Sequence, residues 1–263
     1  MVNKKLIHSD ILNKICIITL NNPEKRNVLT VGMLHEITEL LKVLKNKDET
    51  RCIVIKGEGG KAFSSGYDIS AIKNDDMMRE FGNDHPLEEC FKAIENFPYP
   101  VIAMINGHIF GAGLELAVTC DIRICADYVK LGMPPAKLGV VYSYSGTKKF
   151  LNLIGPSNTR ELFLTGRAIN AERAEKMGLV NHIIPNEHLH HFTTDMAEEI
   201  ANNAPLSLKT MKQLVNIWQK NQTTNKEDEE LIKALFQEVQ NSDDYFEGQK
   251  AFEEKRNPIF KGK

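Results

Sequence analysis

The chain has 263 residues, which suffices for one large domain or two small ones, and 42% of its residues are apolar. Charged residues make up 26%, an ordinary share for a globular protein that argues against disorder, collagen and a coiled coil. The 33 basic and 35 acidic residues give a net charge of −2, which lacks the basic excess typical of nucleic-acid-binding proteins.

The five cysteines show no CxxC spacing, so they predict neither a disulfide framework nor a structural zinc site. The N-terminus has no signal-peptide pattern, and no apolar run approaches the roughly 18 residues of a membrane span. We therefore expect a cytoplasmic protein with no membrane association, no nucleic-acid partner and no bound metal.

The first elements form a strand–helix–strand unit. Residues 15–20 are rich in β-branched side chains and end at an Asn-Asn-Pro turn, which predicts a strand. Residues 31–46 carry apolar side chains three and four positions apart, the period of a helix with one buried face. Residues 52–55 predict a second, buried strand, and this βαβ unit favours a parallel sheet covered by helices.

A second unit repeats this order. Its predicted elements are a helix over residues 84–97, a strand over 101–105, a glycine-bearing turn over 107–113, a helix over 114–120 and a strand over 121–125.

Beyond about residue 146 the pattern is helical, with one strand-like interruption at residues 180–184 and a linker-like polar stretch at 220–226. Such helices often pack between subunits, so we expect an oligomer. The predicted helices cover residues 147–153, 157–164, 171–177, 188–203, 206–219, 227–239 and 245–254.

The turn at residues 107–113 carries the clearest chemical signal. A glycine-rich turn that enters a helix leaves several N–H groups without acceptors, and the helix dipole adds partial positive charge, which suits an anion or a polarised carbonyl. Its G-x3-G-x-G pattern matches neither the dinucleotide-binding nor the P-loop motif. Taken alone, these glycines could equally serve close helix packing.

A second loop with glycine beside polar residues, 61–69, also follows a predicted strand. Two such loops at the ends of neighbouring parallel strands could direct two N–H groups at one oxygen. This arrangement is an oxyanion hole.

Ordered motifs along nearly the whole chain carry a family resemblance. They are Asn21-Asn22-Pro23, Phe63-Ser64-Ser65-Gly66-Tyr67-Asp68-Ile69, Asn106-Gly107, Glu115-Leu116-Ala117, Cys120-Asp121-Ile122, Gly178-Leu179-Val180 and Ala251-Phe252-Glu253-Glu254-Lys255-Arg256. In these motifs the chain resembles the crotonase, or enoyl-CoA hydratase/isomerase, superfamily.

The resemblance implies an α/β fold, with a crotonase-like spiral of ββα units over residues 1–200 and a helical trimerisation domain over 201–263. It also implies an acyl-CoA thioester substrate, a homotrimer or a dimer of trimers, and no cofactor beyond the coenzyme A of the substrate.

The same resemblance implies roles for particular residues. The two oxyanion N–H groups fall on Tyr67 and on Ala112, where the family usually has glycine. The residues implied for coenzyme A binding are Lys25, Arg26, Ala71, Ile72 and Lys73, together with Phe236 and Lys255 from a neighbouring subunit.

Family hydratases use two carboxylates to add water across a double bond. Glu115 matches the first of these, but Pro135 stands at the second, and proline cannot transfer a proton. Where isomerases place a carboxylate slightly later, this chain has Tyr142, a poor base but a good hydrogen-bond donor. Ordinary hydration is therefore put in doubt.

Residues 138–142, 84–87 and 242–248 most resemble the branch of the family that decarboxylates methylmalonyl-CoA to propionyl-CoA. There, a tyrosine at the position of Tyr142 holds the substrate carboxylate. That branch has histidine where this chain has Tyr67, so only the backbone role of Tyr67 transfers.

Ionised Glu115 would repel such a substrate, so we expect it to be protonated or to point away. It could favour its helix's first turn, or it, or a water it holds, could return a proton to the enolate. Two alternatives stay open: an enoyl-CoA hydratase or isomerase that uses Glu115, and a catalytically weak scaffold that binds acyl-CoA or RNA.

Overall fold

The described part of the chain forms an α/β fold with two β-sheets and eight α-helices. This computed structural model describes residues 5–47, 49–68, 85–220, 226, 230, 233–234, 237–238 and 240–260. The strands are β1 (Ile7–Leu12), β2 (Ile15–Leu20), β3 (Cys52–Gly57), β4 (Ala62–Ser64), β5 (Val101–Ile105), β6 (His108–Phe110), β7 (Ile122–Ala126), β8 (Lys130–Gly132), β9 (Ile169–Asn170) and β10 (His182–Ile184).

The helices cover the sheets and form the C-terminal third of the chain. They are α1 (Val31–Lys47), α2 (Pro86–Glu95), α3 (Ala112–Thr119), α4 (Tyr144–Thr165), α5 (Ala171–Lys176), α6 (Asn186–Asn202), α7 (Pro205–Lys220) and α8 (Asp243–Glu253), with short 3₁₀ turns at Pro23–Lys25 and Pro135–Leu138.

The six-stranded sheet has the order β1-β2-β3-β5-β7-β10 and is parallel except for the β1–β2 hairpin. The smaller sheet has the order β4-β6-β8-β9, and its first three strands are parallel. Strands β2, β3 and β5 are almost wholly buried, which explains their continuous runs of branched apolar residues.

The helix packing follows from the placement of apolar residues. Helix α1 buries one stripe that includes Met33, Ile37 and Leu41 and leaves its lysines in water. Helix α3 is buried on every side, so its amphipathic pattern is weak. It carries Ala112 and Glu115 into the interior of the molecule.

The predicted parallel βαβ units are confirmed, and the structure adds elements that the sequence did not indicate. Strand β1 was not predicted because only Ile7 in it is buried. The predicted helices at 147–153 and 157–164 form one element, α4, whose backbone departs from helical geometry at Gly155, just before Pro156. The short strands β4 and β6 lie inside the two stretches that were predicted as loops.

The C-terminal predictions are tested only in part. Helices at residues 206–219 and 245–254 are confirmed as α7 and α8, whereas most of the predicted linker 220–226 and helix 227–239 lies outside the described residues. The domain boundary at residue 200 stays a prediction. Within the described part of the chain, no helix is both long and apolar enough to cross a membrane.

Candidate active site

The ends of strands β4 and β6 bring the two predicted amides to one place. These strands are parallel neighbours, and the chain leaves them at Ser64 and Phe110. Tyr67 and Ala112, which follow within three residues, line the same cavity. The expectation that two strand ends converge is confirmed, although the strands responsible are the short ones of the smaller sheet.

The backbone around Tyr67 is held by a single parallel bridge to Leu29. The Leu29 N–H donates to the Gly66 carbonyl at 2.8 Å, and the Asp68 N–H donates to the Leu29 carbonyl at 3.1 Å. Because backbone groups alternate sides along an extended segment, the N–H of Tyr67 is directed away from Leu29. Tyr67 is itself one of the residues that line the cavity.

Gly66 permits the close approach of the two loops. Its φ is +107°, and a Cβ there would lie 3.2 Å from the Phe110 carbonyl oxygen and 3.6 Å from the Ala112 nitrogen. The loops therefore touch beside the Ala112 amide.

Ala112 is the first residue of α3, so its N–H has no acceptor within the helix. The preceding Gly111 has φ +53° and donates its own N–H to the Gly132 carbonyl at 3.0 Å, which fixes the start of the helix. The alanine side chain is itself buried. Alanine differs from the glycine that the family resemblance implies here only by a methyl group, so the backbone N–H donor is still present.

These amides open onto a cavity of about 160 Å³ with mainly apolar walls. Its apolar lining includes Leu87, Phe91, Phe110, Leu138, Val140 and Val141. Apolar walls lower the local dielectric, which strengthens hydrogen bonds to a developing negative charge.

Glu115 is the most perturbed carboxyl group of the cavity. Its side chain is buried, and its Oε1 has no hydrogen-bond partner. Burial raises the pKa of Glu115 from 4.5 to about 7, with nearby Lys149 opposing the rise and Glu88 adding to it. Glu115 can therefore be protonated near neutral pH, as expected for a group that would otherwise repel an anionic substrate.

Tyr142 lies beside Glu115, and each group changes the pKa of the other. Burial, together with the Glu115 carboxyl, raises the pKa of Tyr142 well above its ordinary value. Phe163 packs edge-on against the Tyr142 ring, with the ring centres 5.7 Å apart. Tyr142 is thus a neutral phenol that lines the cavity and shares a side-chain hydrogen bond with Glu115, and its O–H group is a hydrogen-bond donor.

A second carboxyl group, Glu88 of α2, lines the cavity and was not singled out from the sequence. Its Oε1 accepts hydrogen bonds from the hydroxyls of Ser143, at 3.2 Å, and Ser145, at 2.6 Å. Pro135, at the position of the second hydratase carboxylate, also lines the cavity. The sequence showed only that residue 88 lies next to buried Leu87 in a helix, which gave no sign of a role.

The ring of His85 lies beside that of Tyr67, with centres 5.6 Å apart. Its Nδ1 accepts a hydrogen bond from the Leu87 N–H at 3.2 Å and so caps helix α2. His85 thus contacts two residues that line the cavity, Tyr67 and Leu87, without lining it itself.

The residues implied for coenzyme A binding are only partly described. Lys25 and Arg26 are exposed, and their loop is tied to the cavity edge because the Ser65 N–H donates to the Arg26 carbonyl at 3.0 Å. Lys255 follows α8, and its N–H donates to the carbonyl of Phe252, which lines the cavity. Ala71, Ile72, Lys73 and Phe236 lie outside the described residues. All these binding roles stay predictions.

Metal ligands do not cluster in the part of the chain that the structure describes. There, no group of three or more His, Cys, Asp or Glu side chains is arranged to hold a metal ion. Burial raises the pKa of each cysteine thiol to about 12, which makes these groups poor nucleophiles.

This spiral α/β fold, with two loop amides and a buried carboxyl around one apolar cavity, defines the crotonase class of acyl-CoA enzymes. The chain belongs to the enoyl-CoA hydratase/isomerase family, whose model matches residues 10–263.

Within that family, the chain is similar to proteins of different activities. It is 33% identical to methylmalonyl-CoA decarboxylase of Escherichia coli (strain K12), over 95% of this chain and 96% of that protein. It is 34% identical to a probable mitochondrial enoyl-CoA hydratase of Dictyostelium discoideum, over 95% of this chain and 88% of that one. A solved structure of methylmalonyl-CoA decarboxylase with 2-nitronate-propionyl-CoA superposes with a TM-score of 0.93, at 32% identity, over 98% of this chain and 99% of that one.

Proposed function

We propose that this protein decarboxylates a short 2-carboxyacyl-CoA such as methylmalonyl-CoA. The observation that carries the proposal is the neutral phenol of Tyr142 beside Glu115, a carboxyl whose pKa burial raises to about 7. Together they can offer hydrogen-bond donors to a carboxylate in the cavity that the two loop amides border. The similarity to methylmalonyl-CoA decarboxylase supports this proposal.

In the proposed reaction, the N–H groups of Tyr67 and Ala112 bind the thioester oxygen. Tyr142 holds the substrate carboxylate so that the bond between the carboxylate carbon and C2 lines up with the thioester π system. That bond breaks, its electron pair moves into the thioester to form an enolate, and CO2 leaves. One oxyanion donor contributes roughly 3 to 4 kcal/mol in other enzymes, so two such donors suit an enolate.

Proton return completes the reaction. The enolate takes one proton at C2, from protonated Glu115 or from a water that it holds, and propionyl-CoA results. The thioester itself accepts the electron pair, so the proposed chemistry needs no cofactor beyond the coenzyme A of the substrate. Lys25 and Arg26 supply positive charge for its phosphates at the edge of the cavity.

The test is to incubate the protein with methylmalonyl-CoA in D2O and to follow the products by mass spectrometry. The expected result is loss of the mass of CO2, with one deuterium on C2 of the propionyl-CoA formed. Persistence of methylmalonyl-CoA under conditions in which the protein binds it would refute the proposal.

A second candidate function, enoyl-CoA hydration or isomerisation, is favoured by Glu88. With Glu115 it places two carboxyl groups on one cavity, which is the number that hydration needs, although Glu88 comes from α2 rather than from the position of Pro135. The similarity to a probable enoyl-CoA hydratase points the same way. In the same assay, gain of the mass of water by crotonyl-CoA would identify this activity, and binding without any change would favour a scaffold.

We propose, in addition, that α7 packs against other copies of the chain in a trimer or a dimer of trimers. Large apolar side chains of α7 are exposed in the single chain: Leu206, Met211, Leu214, Val215, Ile217 and Trp218. Single exposed apolar residues are normal on a protein surface, but several on one helix form a patch that suits an interface. Sedimentation of the wild type and of Leu214→Glu tests this, with a shift of the variant to monomer expected and unchanged sedimentation as the contrary result.

A further inference from the structure

Gln249 carries a polar group that the proposed mechanism does not use. It lies on α8, and its side chain lines the cavity that holds Glu115 and Tyr142. Its Nε2 is buried and has no hydrogen-bond partner. Among the buried side-chain nitrogen and oxygen atoms that the structure describes, only the Glu115 Oε1 also lacks a hydrogen-bond partner, and both residues line the same cavity.

A buried donor without a partner is costly, by roughly 1 to 3 kcal/mol, and is uncommon in folded proteins. The Gln249 amide, on a residue that lines the cavity, therefore points to a ligand that provides the missing partner. Since an amide N–H can only donate, the partner of Gln249 must be an oxygen or another acceptor.

Helix α8 holds Gln249 in place. A Cβ on Gly248 would collide with the Leu138 carbonyl, so the helix backbone packs directly on the turn at Pro135–Leu138. The helix begins at the Ser242 cap and is tied at its other end by two hydrogen bonds from Arg256 to Glu247, at 2.6 and 2.8 Å. The backbone that carries Gln249 is thus held in place before a ligand binds, which favours selective recognition.

We propose that Gln249 is a specificity residue whose side-chain N–H binds an oxygen of the acyl group, so that the cavity selects acyl-CoA substrates with a carboxylate on that group. This inference rests on the proposed function for the nature of the oxygen. Apolar residues form most of the lining. An acyl group without an acceptor would therefore leave the Gln249 amide unpaired, and sites with a buried polar group discriminate against substrates that leave it unpaired.

The test uses two unreactive thioethers, 2-carboxypropyl-CoA and propyl-CoA, which differ in the carboxylate and need no turnover. Calorimetry measures their Kd with the wild type, Gln249→Met and, as a control, Asn46→Met, which replaces another side-chain amide at an exposed site on α1. Gln249→Met should weaken 2-carboxypropyl-CoA roughly ten- to hundredfold and leave propyl-CoA unchanged, because the lost bond is to a charged group. The control should affect neither.

Gln249→Glu provides a variant of nearly the same shape if the methionine does not fold. Its carboxylate should weaken 2-carboxypropyl-CoA more than methionine does, at about pH 8, because like charges repel. Equal weakening of both ligands, or no change in either, would overturn the inference. If the wild type discriminates as expected but releases no CO2 from methylmalonyl-CoA, the proposed reaction fails while the role of Gln249 stands.

Discussion

The ammonium group of Lys149 lies 3.8 Å from the Oε1 of Glu115. Lys149 is shared: it also contacts the Glu95 carboxylate at 3.1 Å and donates to the Thr119 hydroxyl at 3.0 Å. Its charge partly offsets the burial that raises the pKa of Glu115. The position of this one lysine therefore helps to keep the pKa of Glu115 close to neutral pH.

Removing this charge should move the pH profile. In the proposed reaction protonated Glu115 is the useful form, so kcat/KM should fall as pH rises through about 7. Lys149→Met raises the pKa of Glu115 further and should shift this decline upward by about one pH unit. Lys149→Arg keeps the charge and should leave the profile in place. If the fall in kcat/KM occurs at the same pH in Lys149→Met as in the wild type, or at a lower pH, this account is contradicted.

Glu115→Gln should separate the two candidate reactions. Glutamine is neutral, like the protonated acid, so C–C cleavage should remain within about tenfold of wild type, whereas hydration, which needs proton transfer, should fall by roughly 10² or more. The rates are measured with methylmalonyl-CoA and crotonyl-CoA. Loss of decarboxylation to the same extent as hydration would argue against the proposed role.

The same variant should change stability with pH. Folding raises the pKa of Glu115 above its unfolded value of 4.5. Below pH 4.5 the carboxyl is protonated in both states and does not lower the free energy of unfolding, whereas that free energy falls as pH rises from 4.5 through about 7. Glu115→Gln should thus be more stable than wild type at about pH 8, by up to about 3 kcal/mol, and this gain should vanish at low pH. Thermal melts across this range provide the comparison.

Tyr142→Phe should lower decarboxylation and spare coenzyme binding. It removes the hydroxyl proposed to hold the substrate carboxylate but keeps the ring packed against Phe163. A loss of roughly ten- to hundredfold in kcat/KM is expected, with an unchanged Kd for free coenzyme A. Tyr144→Phe, two residues away and exposed, is the matched control. Unchanged turnover in Tyr142→Phe would exclude this role.

Gly66→Ala should damage the proposed oxyanion hole. The added methyl would lie 3.2 Å from the Phe110 carbonyl oxygen and 3.6 Å from the Ala112 nitrogen, at a φ of +107°. We expect a loss of roughly 10² or more in kcat. Gly59→Ala places the same change at φ +71° with no atom within 4 Å, so it controls for backbone strain. Equal loss in both variants would mean that strain, rather than the site, is responsible.

The periodic elements of the fold could be predicted because their burial is local and regular. Helix α1 and strands β2, β3 and β5 follow directly from their apolar spacing. Strand β4 could not be predicted in this way, because a strand of three residues is too short to show a periodic pattern. Its partner β6 also lies more than 40 positions away in the sequence.

The site divides in the same way. Tyr67 and Ala112 could be proposed because their two glycine-bearing loops resemble motifs of the family, which imply roles for these positions. Glu88, Lys149 and Gln249 lie on three separate helices, where a polar residue ordinarily faces water. Glu88 and Gln249 reach the cavity, and Lys149 reaches Glu115, only because those helices pack around α3 and the Pro135–Leu138 turn, which depends on contacts distant in sequence.

The most direct measurement is a crystal structure of the protein with an unreactive coenzyme A thioester bound. The account predicts that the thioester oxygen lies about 2.7 to 3.2 Å from both the Tyr67 nitrogen and the Ala112 nitrogen. An oxygen that contacts one of these nitrogens alone, or neither, would contradict the claim that these two amides hold the enolate.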